Sequence, residues 1–453
     1  MYQWKRVVLV LFIILLIPGV SLFAAGDKEE AAPVQVEEES GLSGKLTLWT
    51  FVPPFQTYYE KSVPMIVEKY PEVEGLDLEV VVIGIEELYD KVNASYLSGK
   101  GMPDLVDVEI QHAGRFFKPN QPVVFADLTE KFENSAYYDD IVLARTAPYT
   151  FDGKIYAIDC DMSATFLFYR KDIFDKYGIA VPETWDEFIE AGLRLKKEGI
   201  YMVQLSSGQN PQVSQKHELV QLMRQNDGYI FDENGNVVVD SAKAEEALQL
   251  YHDMVNVHGI ATTTYASTTD PTFYAEIAKG NVATIYYPNW FVSFQMAGSL
   301  PDQAGLWRAA NLPAFREGGR RTSTTGGTSL MITNAAKDRG TFELAWRFYE
   351  FNMMTKEGGL LHNSVIGWFP PIKSALKDPQ MLQPVEYLGG QKFGELFFDI
   401  MDEIPQAYNS PYMTDAYIDV CKELIYPVLY ENVAPKDALS NMAEHLEKMM
   451  AMD

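Results

Sequence analysis

Aromatic and polar side chains occur together in this sequence at points where an apolar run ends. Trp49 and Phe51 end one such run, and Asn289 and Trp290 follow another. Aromatic faces cover the apolar C–H side of a sugar ring, while carboxylates and amides bond its hydroxyl groups in a pocket that leaves few polar groups unpaired. We therefore predict a binding site for a hydroxyl-rich small molecule. Its candidate ligand-binding residues are Trp49, Phe51, Glu109, Gln111, Asp159, Asp161, Ser163, Tyr287, Asn289, Trp290, Gly326, Gly327 and Trp368.

Gly326 and Gly327 are adjacent and begin an apolar run. A residue without a side chain lets the backbone approach a ligand closely, which is why the pair belongs to the candidate site. A β-bulge in a strand explains the same pair equally well. The spacing alone leaves both interpretations open.

Asp159 and Asp161 permit a second functional interpretation. Side chains two residues apart share a face of an extended strand, so the two carboxylates would point the same way. With Glu109 they offer the acid and base of a secreted glycoside hydrolase, which needs two carboxyl groups roughly 5–9.5 Å apart. Bonds to ligand hydroxyls, or a place in a solvated hinge, explain them too, and we favour these. The sequence has no nucleophile elbow, Walker loop, HExxH helix or dinucleotide fingerprint, so we predict no catalytic residue and no enzymatic activity.

Strands and helices that alternate along the first part of the chain must position the candidate residues. This alternation predicts a mainly parallel sheet with helices on both faces. Ligands bind beyond the carboxyl ends of the strands of such sheets, which is where Trp49, Phe51, Glu109 and Gln111 fall. The predicted strands cover residues 45–51, 76–83 and 104–109, and the predicted helices cover about 56–70 and 85–97.

The most strongly patterned stretch of the chain covers residues 152–188. Two apolar runs, 154–158 and 165–169, predict strands, and polar residues between them interrupt the pattern. Thr184 and Glu187 then have the spacing of a capping box, which predicts the start of a helix.

Motifs in this stretch resemble bacterial extracellular solute-binding proteins of family 1, the sugar-binding subunits of ABC importers. The matching segments are Gly-Lys-Ile-Tyr-Ala-Ile at 153–158, Tyr-Arg-Lys-Asp at 169–172 and Pro-Glu-Thr-Trp-Asp-Glu-Phe at 182–188. Weaker similarity extends over most of the chain beyond residue 45. Asp159 departs from the pattern, because many relatives have proline at that point.

The resemblance implies an α/β, two-lobed periplasmic-binding-protein-like fold. Each lobe would be a mainly parallel sheet flanked by helices, with the ligand cleft between the lobes. Lobe 1 is expected to combine residues 45–158 and 311–356, and lobe 2 to combine 159–310 and 357–453. The resemblance also implies that Trp290 stacks on the solute. A monomer is expected, which delivers a carbohydrate from the cleft to the membrane permease subunits of an ABC transporter.

Bulk composition argues against several other classes of protein. A formal net charge of −26 repels nucleic acid, so no nucleic-acid partner is expected. A chain of 453 residues is too long for one typical core, which agrees with two lobes. The chain has two cysteines and six histidines without ligand spacing, so neither a metal nor a cofactor is expected.

The first 44 residues predict export. Residues 1–25 have the positive start, apolar centre and small-residue end of a signal peptide, and 26–44 are acidic and lack aromatic residues, as a disordered leader would. No cysteine lies near the cleavage point, so we expect no lipid anchor and a periplasmic location. In an oxidising compartment Cys160 and Cys421 could pair, although nothing in the sequence places them together.

Overall fold

Two β-sheets organise the part of the chain that the computed structural model describes, residues 42–210, 217–268 and 270–452. Residues 150–155 form a separate two-stranded hairpin. The strands are β1 (Gly44–Thr50), β2 (Leu76–Val82), β3 (Leu105–Glu109), β4 (Thr150–Phe151), β5 (Lys154–Ile155), β6 (Thr165–Arg170), β7 (Tyr201–Ser206), β8 (Ala261–Thr264), β9 (Val282–Pro288), β10 (Trp307–Asn311) and β11 (Thr328–Ile332).

The first sheet has the strand order β11-β3-β1-β2. β1 pairs in parallel with β2 and β3, and β11 is antiparallel to β3, with Thr328 opposite Glu109. The helices α1 (Pro53–Lys69) and α2 (Ile85–Ser98) separate the three parallel strands along the chain. The alternation predicted for residues 45–109 is therefore confirmed.

The second sheet has the order β10-β6-β9-β7-β8 and is mixed. β7 is parallel to β8 and β9, whereas β6 is antiparallel to β9 and to β10. Parallel pairing follows when a helical crossover joins neighbouring strands. The neighbours β6 and β9 are not joined by a single crossover, because β7 and β8 lie between them in the sequence. The alternation of helices and strands therefore did not predict that these two strands are antiparallel.

Helices cover both sheets. The remaining described α-helices are α3 (Ile110–Ala113), α4 (Thr129–Glu133), α5 (Lys171–Tyr177), α6 (Trp185–Lys196), α7 (His217–Gln225), α8 (Ala242–His252), α9 (Ala275–Ala278), α10 (Ala297–Ser299), α11 (Asn334–Arg339), α12 (Phe342–Met354), α13 (Lys356–Ile366), α14 (Lys373–Leu376), α15 (Phe393–Ile400), α16 (Met413–Asp419), α17 (Tyr426–Tyr430) and α18 (Pro435–Met450). α1, α2 and α12 pack against the first sheet, and α6, α7 and α15 against the second. α13 packs on α1 and α12, whereas α18 packs on α8.

Apolar side chains cover both faces of the second sheet. Phe166 and Phe168 of β6 belong to a core that is shared with Leu46 and Leu48 of the first sheet. Leu167, which points the other way, belongs to a second core formed with α6, α7 and α8. A strand covered on both sides has few polar residues, which explains its continuous apolar sequence.

Helix α6 begins where the capping box predicts it. The hydroxyl of Thr184 accepts a hydrogen bond from the backbone N–H of Glu187 at 3.3 Å. The Glu187 carboxylate in turn accepts one from the backbone N–H of Glu183 at 2.7 Å. These bonds satisfy N–H groups that a helix start leaves without intrahelical partners.

The strand predicted over residues 154–158 is shorter in the structure. Only Lys154–Ile155 pairs in a ladder, as β5 with β4. Beyond it, the backbone N–H groups of Asp159 and Cys160 donate to Arg145 and Thr328, at 3.0 and 2.8 Å. Because these partners belong to different segments, no continuous ladder forms.

The predicted signal peptide, residues 1–25, lies outside the described residues, as does most of the predicted leader, residues 26–44. Among the helices of the described part of the chain, none is both long and apolar enough to cross a membrane.

The two cysteines are buried and no disulfide joins them. Cys160 lies in the core shared by the two sheets, and Cys421 lies in the π-helical segment Val420–Ile425 near the C-terminal helices. Burial raises the pKa of the Cys160 thiol well above its usual value, which disfavours the reactive thiolate.

Candidate ligand-binding site

Asp159 lies between β5 and β6 and is fully buried. Its carboxylate forms an ion pair with Arg145 and accepts a hydrogen bond from the backbone N–H of Thr328 at 3.2 Å. Gly327 has a φ of +128° and lies so close to this carboxylate that a Cβ atom there would overlap it. The missing side chain of Gly327 thus makes room for Asp159.

Three other predicted residues come together at Asp161, which lies two positions beyond Asp159 in the sequence. The Asp161 carboxylate accepts hydrogen bonds from the Asn289 amide at 2.9 Å and from the backbone N–H and hydroxyl of Ser163 at 3.0 and 3.1 Å. The backbone N–H of Phe369 donates to it at 3.0 Å. Asp161, Ser163 and Asn289 therefore form one buried cluster.

Burial determines the protonation of both carboxyl groups. It raises the pKa of Asp159 to about 6, although the charge of Arg145 acts in the opposite direction. It raises the pKa of Asp161 to about 7, against the hydrogen bond from Asn289. Both groups are fully buried, and their oxygen atoms accept hydrogen bonds from the protein. This geometry suits structural hydrogen bonding better than acid–base chemistry on a substrate.

Trp290 lies two residues beyond the end of β9. Its indole N–H donates to the carbonyl oxygen of Thr325 at 3.3 Å, and its ring lies against Gly326, where a Cβ atom would come within 3.1 Å of the ring. The ring of Tyr287 lies edge-on at 6.1 Å, and the Tyr287 hydroxyl donates to Glu218. Gly326, Tyr287 and Trp290 are thus brought together.

A pair of polar side chains connects the two sheets beside Trp290. Gln111 follows β3 of the first sheet, and His217 begins α7, which packs on the second sheet. The Gln111 amide lies 3.3 Å from His217 Nδ1, which is also 3.1 Å from the Thr325 hydroxyl. The His217 ring lies edge-on to Trp290 at 6.0 Å.

His217 is not among the residues predicted from the sequence. The signal that could have indicated this region is the run of polar residues at 207–210 after β7, since residues beyond the carboxyl end of a strand reach the ligand side of such a sheet.

The other predicted residues of the first sheet take different positions. Glu109 caps α3 by accepting from the backbone N–H of Gln111 at 2.8 Å. Phe51 lies 6.3 Å from the ring of Tyr89 and is half-buried. Trp49 is buried on the α2 side of the sheet, with the Lys91 ammonium group 5.1 Å from its ring. The structure shows no contact between Trp49 and the Trp290 cluster.

Trp368 lies between aromatic residues of two different segments. Its ring is 5.4 Å from that of Phe55, in the helix α1 that follows β1, and 6.3 Å from that of Phe294, four residues after Trp290. Its indole N–H is buried and has no hydrogen-bond partner among the described residues. Beside it, burial lowers the pKa of His362 to about 3, so this imidazole is neutral.

A cavity of about 720 Å³ opens near Arg145 and Met162. Its walls come from the segment 142–145, from α14 and from the chain between Phe398 and Ala407. None of the thirteen predicted ligand-binding residues lines it. Asp161, Ser163 and Asn289 instead cluster around the Asp161 carboxylate, and Tyr287 and Gly326 lie around Trp290, whereas Trp49 and Phe51 lie in neither group.

Asp107 of β3 is a further buried carboxyl group, bonded by the Tyr59 hydroxyl at 2.7 Å. Burial raises its pKa to about 7 from an ordinary value of 3.8. The folded state keeps this proton up to about pH 7, whereas the unfolded state releases it near pH 4, so the stability that this group contributes is lost as the pH rises between those values. The contribution is at most about 4 kcal/mol.

We expect the Asp107→Asn variant to lose less unfolding free energy than the wild type between pH 5 and pH 8. The amide oxygen still accepts from Tyr59, and it does not ionise. Urea unfolding at several pH values measures the difference. Asp77→Asn, an exposed change on β2, is the control and should keep the wild-type slope. Equal slopes for wild type and Asp107→Asn would contradict the prediction.

The protein has two β-sheets covered by helices, and aromatic rings and hydrogen-bonding groups lie near the ends of their strands. These features define a two-lobed binding protein. The family model for the bacterial extracellular solute-binding protein matches residues 57–357. This chain belongs to that family, as its motifs predicted.

Relatives of known specificity align over most of the chain. It is similar to the arabinooligosaccharide-binding protein of Bacillus subtilis, with 27% identity over 92% of this chain and 95% of that protein. The lactose-binding protein of Rhizobium radiobacter is 24% identical over 88% of this chain and 92% of its own length. An ABC-transporter-associated binding protein from B. animalis subsp. lactis, solved with β-1,6-galactobiose, matches with a TM-score of 0.72 and 19% identity over 90% of this chain and 98% of that one. The structural likeness confirms the two-lobed α/β fold.

Proposed function

We propose that this protein is the carbohydrate-binding subunit of an ABC importer. The observation that carries the proposal is the position of Trp290, which lies at the end of β9 beside the Gln111–His217 pair that connects the two sheets. A ring next to polar groups from both lobes suits a ligand with apolar and hydroxyl faces. The arabinooligosaccharide-, lactose- and galactobiose-binding relatives support the same ligand class.

In this proposal the solute binds between the lobes and contacts both of them. Trp290 and Trp368 offer ring faces, and Gln111, Glu109 and His217 offer polar groups. A ligand that bonds both lobes at once has a higher affinity for the closed arrangement and shifts the population towards it. The closed form is then presented to the permease. We propose no reaction on this chain.

The chain is proposed to cross between lobes three times. The first crossing is at residues 159–163, and the second lies between β10 and β11, which belong to different sheets. The sequence placed the third crossing near residue 356. Because α13 packs on α1 and α12, we propose that the chain leaves lobe 1 after Ile366.

We also propose that the protein is exported through a signal peptide at residues 1–25 and acts in the periplasm without a lipid anchor. It would work as a monomer with the permease subunits as its partners. A net charge of −26 disfavours a nucleic-acid partner.

A thermal-shift screen tests the proposal. The panel contains arabino-oligosaccharides, lactose, galactobiose and their monosaccharides. A ligand present at 100 times its Kd stabilises the folded state by about 2.7 kcal/mol, so the correct sugar should raise the Tm. No shift with any sugar would contradict a carbohydrate-binding role. Chromatography of the same mixtures should show unchanged sugar, and product formation would favour a hydrolase instead.

A further inference from the structure

The carboxylate of Asp161 joins three separate segments of the chain. It belongs to the first crossing, and its side chain is fully buried. One oxygen accepts from the Asn289 amide at 2.9 Å and from the backbone N–H of Phe369 at 3.0 Å. The other accepts from the backbone N–H of Ser163 at 3.0 Å and its hydroxyl at 3.1 Å. These donors are 2, 128 and 208 residues away in the sequence.

The two distant donors are sequence neighbours of aromatic residues of the proposed site. Asn289 directly precedes Trp290, and Phe369 directly follows Trp368. Each donor is therefore one residue from a tryptophan, so the Asp161 carboxylate is bonded to both segments that carry these rings. Main-chain bonds join the same segments, since Asn289 donates to Ala164 at 2.9 Å and Met162 donates to Phe369 at 2.9 Å. These main-chain bonds hold the segments together even without the Asp161 side chain. The role left for the carboxylate is to set the exact position of the two segments relative to each other.

The donors around Asp161 leave no room for a bond to a sugar hydroxyl. Each carboxylate oxygen accepts at least two hydrogen bonds from the protein, and the side chain has no exposed surface. A ligand hydroxyl would have to displace one of these donors and leave it unpaired at a buried position, which costs free energy. Contact with the solute is therefore unfavourable for this residue.

We propose that Asp161 is a positioning residue, which fixes Trp290 and Trp368 relative to each other and does not itself contact the solute. The inference rests on the proposed function, because it assumes that these two rings bind the carbohydrate. It replaces the direct ligand contact that the sequence predicted for Asp161 with an indirect role. Both oxygens of Asp161 are satisfied by donors from these segments, although Oδ1 of Asn289 is buried without a hydrogen-bond partner among the described residues. Buried hydrogen bonds of this kind restrict the groups that make them to one arrangement, which is what a preformed site needs.

Two variants test the proposal from different sides. Asp161→Asn places an amide N–H₂ group opposite the donors of Ser163 or Asn289, so it disturbs the whole cluster. Asn289→Leu has a similar size and removes only the donor on the Trp290 side. Asp232→Asn, in a half-buried turn away from the cluster, is the carboxyl-to-amide control. Calorimetric titration with the sugar found in the screen gives the Kd of each variant.

A second measurement needs no ligand. Acrylamide quenching of tryptophan fluorescence is measured for the wild type and for each variant. Each protein is also measured with the additional change Trp290→Phe, and the difference between the two measurements gives the contribution of Trp290. We expect Asp161→Asn and Asn289→Leu to weaken binding by about tenfold or more and to change Trp290 quenching in the ligand-free protein, because an unsupported site loses its geometry. Asp232→Asn should change neither.

The outcomes separate this inference from the proposed function. Weaker binding with unchanged ligand-free quenching would mean that the substituted residue, Asp161 or Asn289, contacts the sugar directly, and would overturn the positioning role. Unchanged affinity and quenching in both variants would also overturn it. If Asp161→Asn fails to fold, Asn289→Leu gives the same test. If the wild type binds no sugar at all, the proposed function fails, while the quenching comparison still decides whether Asp161 positions Trp290.

Discussion

The Trp290→Ala variant is expected to lose carbohydrate binding, with a Kd at least about 30-fold higher than that of the wild type. Truncation of a buried tryptophan at the centre of a binding site typically costs 2 kcal/mol or more, and each 1.4 kcal/mol is about tenfold in affinity. The ring offers the apolar face of the site, and its neighbours Tyr287 and His217 are edge-on to it. Calorimetric titration with the sugar found in the screen measures the loss.

The same substitution will also destabilise the fold, because only 9% of Trp290 is exposed. Removing a buried tryptophan leaves a cavity and lowers the unfolding free energy by about 3–5 kcal/mol. Trp346→Ala is the matched control, since Trp346 is also buried, in α12, where it stacks on Tyr349. It should lower the unfolding free energy similarly and keep the wild-type Kd. Wild-type affinity in Trp290→Ala, or an equal loss in both variants, would contradict the stacking role.

Gly327→Ala is expected to give the largest loss of stability among single glycine changes in the site. A Cβ atom at this position would overlap the Asp159 carboxylate, and the backbone has a φ of +128°, which side chains disfavour. The carboxylate would have to move away from Arg145 and Thr328. Removal of one partner of a buried ion pair costs about 3–5 kcal/mol, and a side chain at a φ of +128°, outside the left-handed helical region, adds backbone strain of about 1–3 kcal/mol.

Gly340→Ala separates the two costs of this substitution. Gly340 ends α11 with a φ of +75°, and a Cβ atom there would meet no atom within 4 Å. Its replacement should cost only the backbone strain, about 1–2 kcal/mol. Urea unfolding curves give both values. If the two alanine variants lose the same free energy, the contact between Gly327 and Asp159 contributes nothing to stability.

Local patterns were sufficient to predict several elements. The order β1, α1, β2, α2 and β3 follows from alternating and helical spacing of apolar residues, which depends only on near neighbours in the sequence. The start of α6 follows from Thr184 and Glu187, whose bonds join residues three and four apart. The family followed from motifs of four to seven residues, and the family match confirmed it.

The sequence also predicted correctly that strand ends carry aromatic residues, but not which of them meet. Trp49 is the last residue but one of β1, yet its ring faces α2 and Lys91. Trp290 lies two residues beyond β9, and its ring reaches Gly326, which belongs to a loop before β11. Periodicity indicates that a side chain is buried, but it does not indicate which element covers it.

What the sequence alone determined is the family, the α/β class and the local course of the chain, because each depends on short segments. Only the tertiary structure decided that Gln111 meets His217, 106 residues away, and that Asp161 accepts from Asn289 and Phe369, 128 and 208 residues away. The physical reason is that such contacts arise from how the sheets pack and where the chain crosses between them. The residues that make them carry no local sign of their partners.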